Sequence, residues 1–195
     1  MSSAARQDVP DAEAMTFTIN AGTSRLRIKT FAGGPFAALG HDLMFAVPIH
    51  KGTITFDAGN GTGSLEVRIR TEAITLEGDK SDKDRRDIEH TLKEKVLEVS
   101  RHEQIVYEAS NATVTKTGSG YDVEVAGSLT LHGVKQRFPL RAKLNMMGPV
   151  LRAFGEFALR MSDFGIAQVT VVGGALKVKD EIKATFDVSA RPDSG

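Results

Sequence analysis

The sequence predicts an all-β domain, an antiparallel β-barrel of about eight strands with one amphipathic helix. Three observations support this fold class. Apolar and polar residues alternate with a period of two, glycine-containing turns separate many of the alternating segments, and one segment has helical spacing instead. Parallel strands are covered on both faces and have continuous apolar runs, so the alternation indicates antiparallel strands with one apolar face.

The alternation is clearest in residues 65–70, where every odd position is apolar and every even position charged. Residues 25–29 alternate in the same way, with the apolar residues at even positions. A longer strand places Phe138, Leu140, Ala142, Leu144 and Met146 on one face. Further strand candidates are Thr16 to Ile19, Leu43 to Val47, Thr53 to Phe56, Ile105 to Val114, Tyr121 to Leu131, Leu151 to Met161 and Ile182 to Val188. A sandwich or a closed barrel accommodates these strands, and closure is favoured because it removes poorly protected sheet edges.

Turns and one helix complete the predicted architecture. Residues 57–61 and 116–120 contain the glycine or asparagine that accepts a positive φ in hairpin turns. Apolar residues recur at helical spacing between Asp84 and Ser100, with Ser81 as the predicted N-cap and Glu89 and Lys93 as an i,i+4 pair. We expect this helix to lie across the barrel wall or to close one mouth.

Composition limits the classes of function. The chain of 195 residues fits one domain, and its 25 basic and 25 acidic residues give no reason to expect a nucleic-acid partner. The absence of cysteine excludes disulfides and thiolate metal sites. No apolar run is long enough for a membrane-spanning helix. We expect a flexible arm at 1–14, a barrel domain at 15–190 and a tail at 191–195. The arm lacks the apolar run of a secretory signal, which predicts a cytoplasmic location.

The interior of such a barrel holds either packed side chains or one slender ligand. Inward positions mix small and large residues, as where Gly127 precedes Leu129 and Gly155 precedes Phe157. This mixture fits a tunnel as well as ordinary packing. Lysine and arginine fall on the outward positions, so a cavity would suit a long hydrocarbon chain. The predicted lining residues are Phe17, Phe45, Phe56, Leu129, Leu140, Ala142, Phe157 and Phe186.

Four polar residues are candidates for contacts with a ligand head group. His41 and Asp42 are adjacent and could also serve acid–base chemistry, although an ordinary loop pair is the simpler interpretation. Arg160 and Asp163 flank Ser162 and could hold a head group or fix the loop to the barrel. No catalytic constellation follows from these residues, and no cofactor is predicted.

Two further residues are interpreted as structural. His132 lies at the end of a strand, and the five histidines show no i,i+4 or His-x-His spacing among themselves, so no metal site is predicted. Asp180 matches the inward parity of the last strand, where an unpaired carboxylate is costly, and a bend at Lys179 and Asp180 is the favoured explanation.

Three motifs resemble the YceI-like polyisoprenoid-binding family. They are residues 51–57, 127–135 and 160–166, and the most specific is Leu-Thr-Leu-His-Gly-Val at 129–134. The resemblance covers about residues 15–190. It implies an extended lipocalin-like barrel that binds long isoprenoid or other amphiphilic chains in its lumen, often as a dimer. Typical members are exported, whereas we expect no signal peptide from residues 1–14.

Together, these observations predict a binding or carrier protein, not an enzyme, that holds a polyisoprenoid, quinone-like or fatty-chain lipid in the lumen and can form a homodimer. Two alternatives remain open at this point. One is an enzyme that acts on a lipid at the barrel mouth through His41 and Asp42. The other is a structural or stress-related module with a packed interior.

Overall fold

The computed structural model describes residues 14–33, 41–171 and 176–193. The strands in these ranges are β1 (Met15–Ile19), β2 (Arg25–Thr30), β3 (Ala32–Gly33), β4 (Leu43–Ala46), β5 (Ile49–Asp57), β6 (Thr62–Arg70), β7 (Thr75–Glu77), β8 (Gln104–Thr117), β9 (Gly120–Leu131), β10 (Val134–Met147), β11 (Val150–Arg160), β12 (Thr170–Val171), β13 (Leu176–Val178) and β14 (Glu181–Pro192). The helical segments are α1 (Asp82–Thr91), its π-helical continuation Leu92–Val96, and the 3-10 turns Thr71–Ala73 and Met161–Phe164.

Eight antiparallel strands close into a barrel. They follow the order β1, β5, β6, β8, β9, β10, β11 and β14, and β14 returns to pair with β1. Ala190 lies at the closure, opposite Leu151 of β11 on one side and Ile19 of β1 on the other. The closure confirms the predicted barrel over the sandwich.

The last strand has two successive partners on the same side. Residues 190–192 pair with β1, and residues 183–187 pair with β2. The strands β2, β4 and β7 then pair in sequence and extend the wall beside α1, at what we call the helix end of the barrel. The turns at 58–61, 118–119 and 148–149 mark the opposite, hairpin end. A small separate sheet contains β12, β13 and β3.

Side chains of α1 bind the outer edge of β7. Glu89 accepts a hydrogen bond from the Leu76 N–H at 2.8 Å. Arg85 donates to the carbonyl oxygens of Leu76 and Gly78. These bonds satisfy backbone groups that another strand would otherwise pair. The predicted pair of Glu89 with Lys93 is wrong, because the Glu89 carboxylate turns to this edge and to Arg85.

The start of α1 follows the sequence prediction. Ser81 precedes the first helical residue, and its hydroxyl oxygen accepts a hydrogen bond from the Asp84 N–H at 3.1 Å. This bond satisfies one of the N–H groups that a helix leaves without a partner in its first turn. The predicted N-cap is therefore confirmed.

Inward glycines make room for neighbouring rings. A Cβ atom at Gly155 would lie 2.7 Å from the Phe186 ring, and Gly127 lies beneath the Tyr107 ring in the same way. These small residues therefore do not form a tunnel by themselves. At the hairpin end the interior is packed, since Phe17, Leu151 and Ala190 are 1%, 0% and 0% exposed.

The last strand extends into the segment expected as the C-terminal tail. Strand pairing continues past residue 190, where Arg191 and Pro192 lie opposite Thr18 and Phe17. Met146, expected on the apolar inner face, is 36% exposed near the C-terminal end of β10. Most of the predicted arm, residues 1–13, and the end of the predicted tail, residues 194–195, lie outside the described residues.

Candidate functional site

The barrel encloses a cavity of about 480 Å³. Every strand of the closed barrel contributes lining residues, and so do β2, β4 and α1. Inward side chains such as Phe138, Leu140, Phe157 and Phe186 are only half-buried, because they face open space inside the wall. The volume falls within the range typical of small-molecule binding sites. The lumen is therefore hollow, which disfavours the alternative of a packed module.

The cavity wall is almost entirely apolar. Among the described residues, the ionisable side chains in the lining are Tyr107 and Asp87. The Tyr107 hydroxyl donates to the Phe138 carbonyl oxygen at 2.9 Å, and burial raises the pKa of Tyr107 to about 12. This side chain stays neutral at physiological pH. Asp87 is exposed on α1, so the interior carries no charge from the described lining.

Three phenylalanine rings form one wall of the lumen. The Phe138 and Phe157 rings meet edge to face with centroids 5.4 Å apart, and Phe157 lies 6.4 Å from Phe186. These residues come from β10, β11 and β14, and Phe186 lies opposite Gly155, two residues before Phe157. An elongated apolar ligand in the cavity would contact this aromatic wall along its length.

The helix α1 faces the cavity with its apolar stripe. Ile88 and Leu92, one turn apart, line the lumen together with Thr91. None of the residues of α1 is fully buried, so the helix is not part of a packed core. It covers the cavity at the helix end of the barrel. This placement agrees with the expectation that the helix lies across the barrel wall or closes one mouth.

Seven of the eight lining residues expected from the sequence border the cavity. They are Phe45, Phe56, Leu129, Leu140, Ala142, Phe157 and Phe186. Phe17 lies outside the lining, because β1 pairs with the end of β14 and places this ring in the packed hairpin end. The prediction missed Leu26, Leu65 and Val67, which also line the cavity. Their alternating positions in β2 and β6 were a sufficient signal for finding them.

The structure does not bring the four predicted head-group residues together. Asp42 is exposed, forms an ion pair with Lys29 at 3.1 Å and accepts from the Ala32 N–H at 3.3 Å. The hydrogen bond from Lys29 is the main reason that the pKa of Asp42 lies below its usual value. Neither His41 nor Asp42 lines the cavity. The pair therefore lies on the surface, immediately before β4 in the chain.

Arg160 and Asp163 lie in a different place. Both are exposed and border a separate surface depression of about 390 Å³ beside Glu181. The Asp163 carbonyl oxygen accepts a hydrogen bond from the Gln136 side chain at 3.2 Å. This contact links the turn after β11 to the start of β10, and the residues are not part of the lumen.

Asp180 is explained by a bend, as the sequence interpretation favoured. It lies between β13 and β14 and accepts hydrogen bonds from the Ser162 N–H at 2.8 Å and the Ser162 hydroxyl at 2.6 Å. These bonds are the main cause of the lowered pKa of Asp180. The carboxylate therefore fixes the turn at 161–164 to the start of the last strand and does not enter the lumen.

A hollow apolar barrel with a covering helix agrees with the resemblance seen in the three sequence motifs. Residues 10–190 match the YceI-like domain. The chain belongs to the YceI-like family. The match covers most of the length of this YceI-like protein and confirms the family that the motifs at 51–57, 127–135 and 160–166 indicated. The comparison with curated proteins finds no significant match.

Solved structures share the fold of this YceI-like protein at low identity. BcnA of Burkholderia cenocepacia is 14% identical, with a TM-score of 0.62 and 88% of this chain and 98% of that chain covered. A polyisoprenoid-binding domain of Saccharophagus degradans, implicated in plant cell wall breakdown, is 10% identical, with a TM-score of 0.62 and coverages of 92% and 99%. The YceI protein of Campylobacter jejuni is 15% identical, with a TM-score of 0.53 and coverages of 77% and 82%. In the ranges that the structure describes, no helix has the length and apolar character needed to cross a membrane.

Proposed function

We propose that the protein is a binding or carrier protein that holds the hydrocarbon chain of a polyisoprenoid, quinone-like or fatty lipid in its lumen. The observation that carries this proposal is the cavity of about 480 Å³, with walls that are apolar on every strand. The polyisoprenoid-binding domain of Saccharophagus degradans, which shares the fold, supports the same class of ligand.

The chain of the lipid supplies most of the binding free energy. Each methylene transferred from water to an apolar site gains roughly 0.8 kcal/mol, so about ten enclosed carbons gain roughly 8 kcal/mol before the cost of association. Polar lining residues are few, so the head group adds orientation more than affinity. Affinity should therefore rise with chain length among lipids that share one head group.

The head group faces the helix end in this proposal. At the hairpin end, Phe17 and Leu151 are packed, and the polar lining residues there, Thr55 and Ser64, offer hydroxyl groups but no charge. At the helix end the lining includes Thr30, Asp87 and Thr91, which offer hydroxyl and carboxylate oxygens near solvent. The chain of the ligand then extends inward along the phenylalanine wall.

No geometric observation favours the enzymatic alternative. It required His41 and Asp42 to face a lipid at the mouth, but neither lines the cavity, and the Asp42 carboxylate is engaged by Lys29 and the Ala32 N–H. The carrier function is therefore the one that the geometry supports best.

Tryptophan fluorescence tests the position of the ligand, because the natural sequence contains no tryptophan. Phe157→Trp places a single indole in the lumen, and Lys143→Trp places one at an exposed position of β10. A fatty acid brominated along its chain quenches indole fluorescence on contact. We expect saturable quenching of the Phe157→Trp variant only. Equal quenching of both variants, or quenching of neither, would contradict the proposal.

Mass spectrometry under native conditions identifies the ligand class. Protein purified from its own cells should carry a lipid whose mass matches an isoprenoid, quinone or fatty chain. If the purified protein carries no lipid and binds none of these lipids when they are added, the carrier function is refuted. The expected cytoplasmic location and homodimer stay predictions, which cell fractionation and light scattering of the full chain would measure.

A further inference from the structure

Glu98, His102 and His132 bring one carboxylate and two imidazoles together at the helix end. His132 Nε2 lies 2.8 Å from Glu98 Oε2, and His102 Nε2 lies 4.0 Å from the same oxygen. The two ring centroids are 4.3 Å apart. One ligand atom from each residue lies within 4.8 Å of the others, and all three residues are half-buried.

The backbone holds two of these residues in an unusual conformation. Glu98 has φ 45° and His132 has φ 51°, and these are the two non-glycine residues with positive φ in the described part of the chain. His132 and Gly133 form the two-residue turn between β9 and β10, a position where asparagine, aspartate or glycine is the common choice. An imidazole here is directed at Glu98, across 34 residues of sequence.

His102 is fixed by contacts on two sides. Its carbonyl oxygen accepts a hydrogen bond from the buried Thr71 hydroxyl at 2.8 Å. Its ring lies over Gly133, where a Cβ atom would approach the ring Cε1 to 2.8 Å. The glycine therefore makes room for the imidazole. The three side chains are placed before any ligand arrives, which lowers the ordering cost of binding one.

A hydrogen bond connects only two of the three side chains in this cluster. Glu98 and His132 form one short bond, but 4.0 Å is too long for a second bond from His102. A tetrahedral zinc ion with bonds of about 2.0–2.2 Å places its ligand atoms about 3.3 Å apart, between the two observed spacings. Arg101 pairs with the other carboxylate oxygen, Oε1, at 3.2 Å, so Oε2 is the oxygen that faces both imidazoles.

We propose that Glu98, His102 and His132 bind one divalent transition-metal ion of the zinc type, with water completing the coordination. Two imidazoles and a carboxylate are a donor set that suits zinc. Leu97 and Leu131, next to two of the ligands in sequence, line the cavity. The ion therefore fastens the segment after α1 to the hairpin between β9 and β10, at the rim of the lumen.

Zinc titration of the full, tag-free chain tests the site. We expect one zinc ion per chain by calorimetry, and visible absorption typical of tetrahedral coordination when cobalt replaces zinc. His132→Asn removes a ligand but keeps a side chain that tolerates the positive φ, and Glu98→Gln removes the carboxylate charge. Each should weaken zinc binding about tenfold or more. The matched control is His90→Asn, an exposed histidine of α1, which should bind zinc as the natural protein does.

Thermal unfolding supplies a second readout. Zinc should raise the melting temperature of the natural protein and of the His90→Asn variant, and should raise that of His132→Asn less at the same zinc concentration. The proposal is overturned if the natural protein binds no zinc in a one-to-one ratio. It is equally overturned if His132→Asn and His90→Asn weaken binding to the same extent. Neither result depends on whether a lipid occupies the lumen.

Discussion

A bulky side chain on one wall of the lumen should weaken ligand binding without destabilising the fold. Ala142 lies on β10 between Leu140 and Leu144, and all three line the cavity. Ala142→Trp adds about nine heavy atoms to this wall. If the indole displaces about three methylenes of the lipid, the loss is roughly 2.4 kcal/mol, which raises the dissociation constant roughly 60-fold.

The assay compares two neighbouring positions. A fluorescent fatty acid such as cis-parinaric acid is titrated into the natural protein, Ala142→Trp and the outward-facing control Lys143→Trp. Affinity should fall for the Ala142→Trp variant alone. The melting temperature of that variant should stay near the natural value, because the indole enters open space and does not overpack a filled core.

Three results would refute this reasoning. An unchanged affinity in the Ala142→Trp variant would show that the lipid does not occupy this part of the lumen. A loss of stability of about 1–3 kcal/mol, as expected when a packed core is overfilled, would show that the space beside Ala142 is not available. Lower affinity in the Lys143→Trp control would point to a site on the outer surface.

Three further predictions concern the wall and its covering helix. Glu89→Ala should lose about 1–2 kcal/mol of unfolding free energy in urea and speed amide exchange at the β7 edge, because a backbone N–H loses its acceptor. Gly155→Val should lower the melting temperature, because the new side chain meets the Phe186 ring. Asp57 accepts a hydrogen bond from the Asn60 N–H, which lowers the pKa of Asp57 in the folded protein. The stabilisation that the Asp57 carboxylate gives is therefore present above about pH 4, and it should be lost as the pH falls through the lower folded-state pKa.

Control substitutions distinguish these specific effects from a general loss of stability. Glu94→Ala removes an exposed acid from the same helical segment and should leave stability unchanged. Gly22→Ala adds a methyl group where the nearest side-chain atom is 3.4 Å away, so it should be tolerated. Asp57→Asn should reduce the fall in unfolding free energy that occurs as the pH is lowered below about 4. A profile identical to that of the natural protein would show that this carboxyl group is not responsible.

The barrel could be predicted from the sequence because its signals are local. Alternation in residues 65–70 and 138–144 depends only on the two faces of a strand, and the Ser81 cap depends on a residue three positions away. Phe17 was misplaced in the lumen because alternation shows which face is apolar but not where along the barrel the strand is paired.

Other features depend on contacts between distant parts of the chain. Glu89 was expected to pair with a lysine four residues later, but a strand edge thirteen residues earlier provides a better donor. The cluster of Glu98, His102 and His132 was missed because spacing was considered among histidines only. The i,i+4 relation between Glu98 and His102 was visible in the sequence, whereas the approach of His132 follows from the pairing of β9 with β10.

The division of β14 between two partners has a consequence for the wall of the lumen. The ring is closed by the pairing of β14 with β1, so the strands β2, β4 and β7 are not needed for closure. This panel is joined to the ring through one side of β14, and Arg85 and Glu89 bind its far edge. Beyond residues 190–192, this panel takes the place of β1 beside β14, and Leu26, Ile28 and Phe45 on it complete the wall of the lumen.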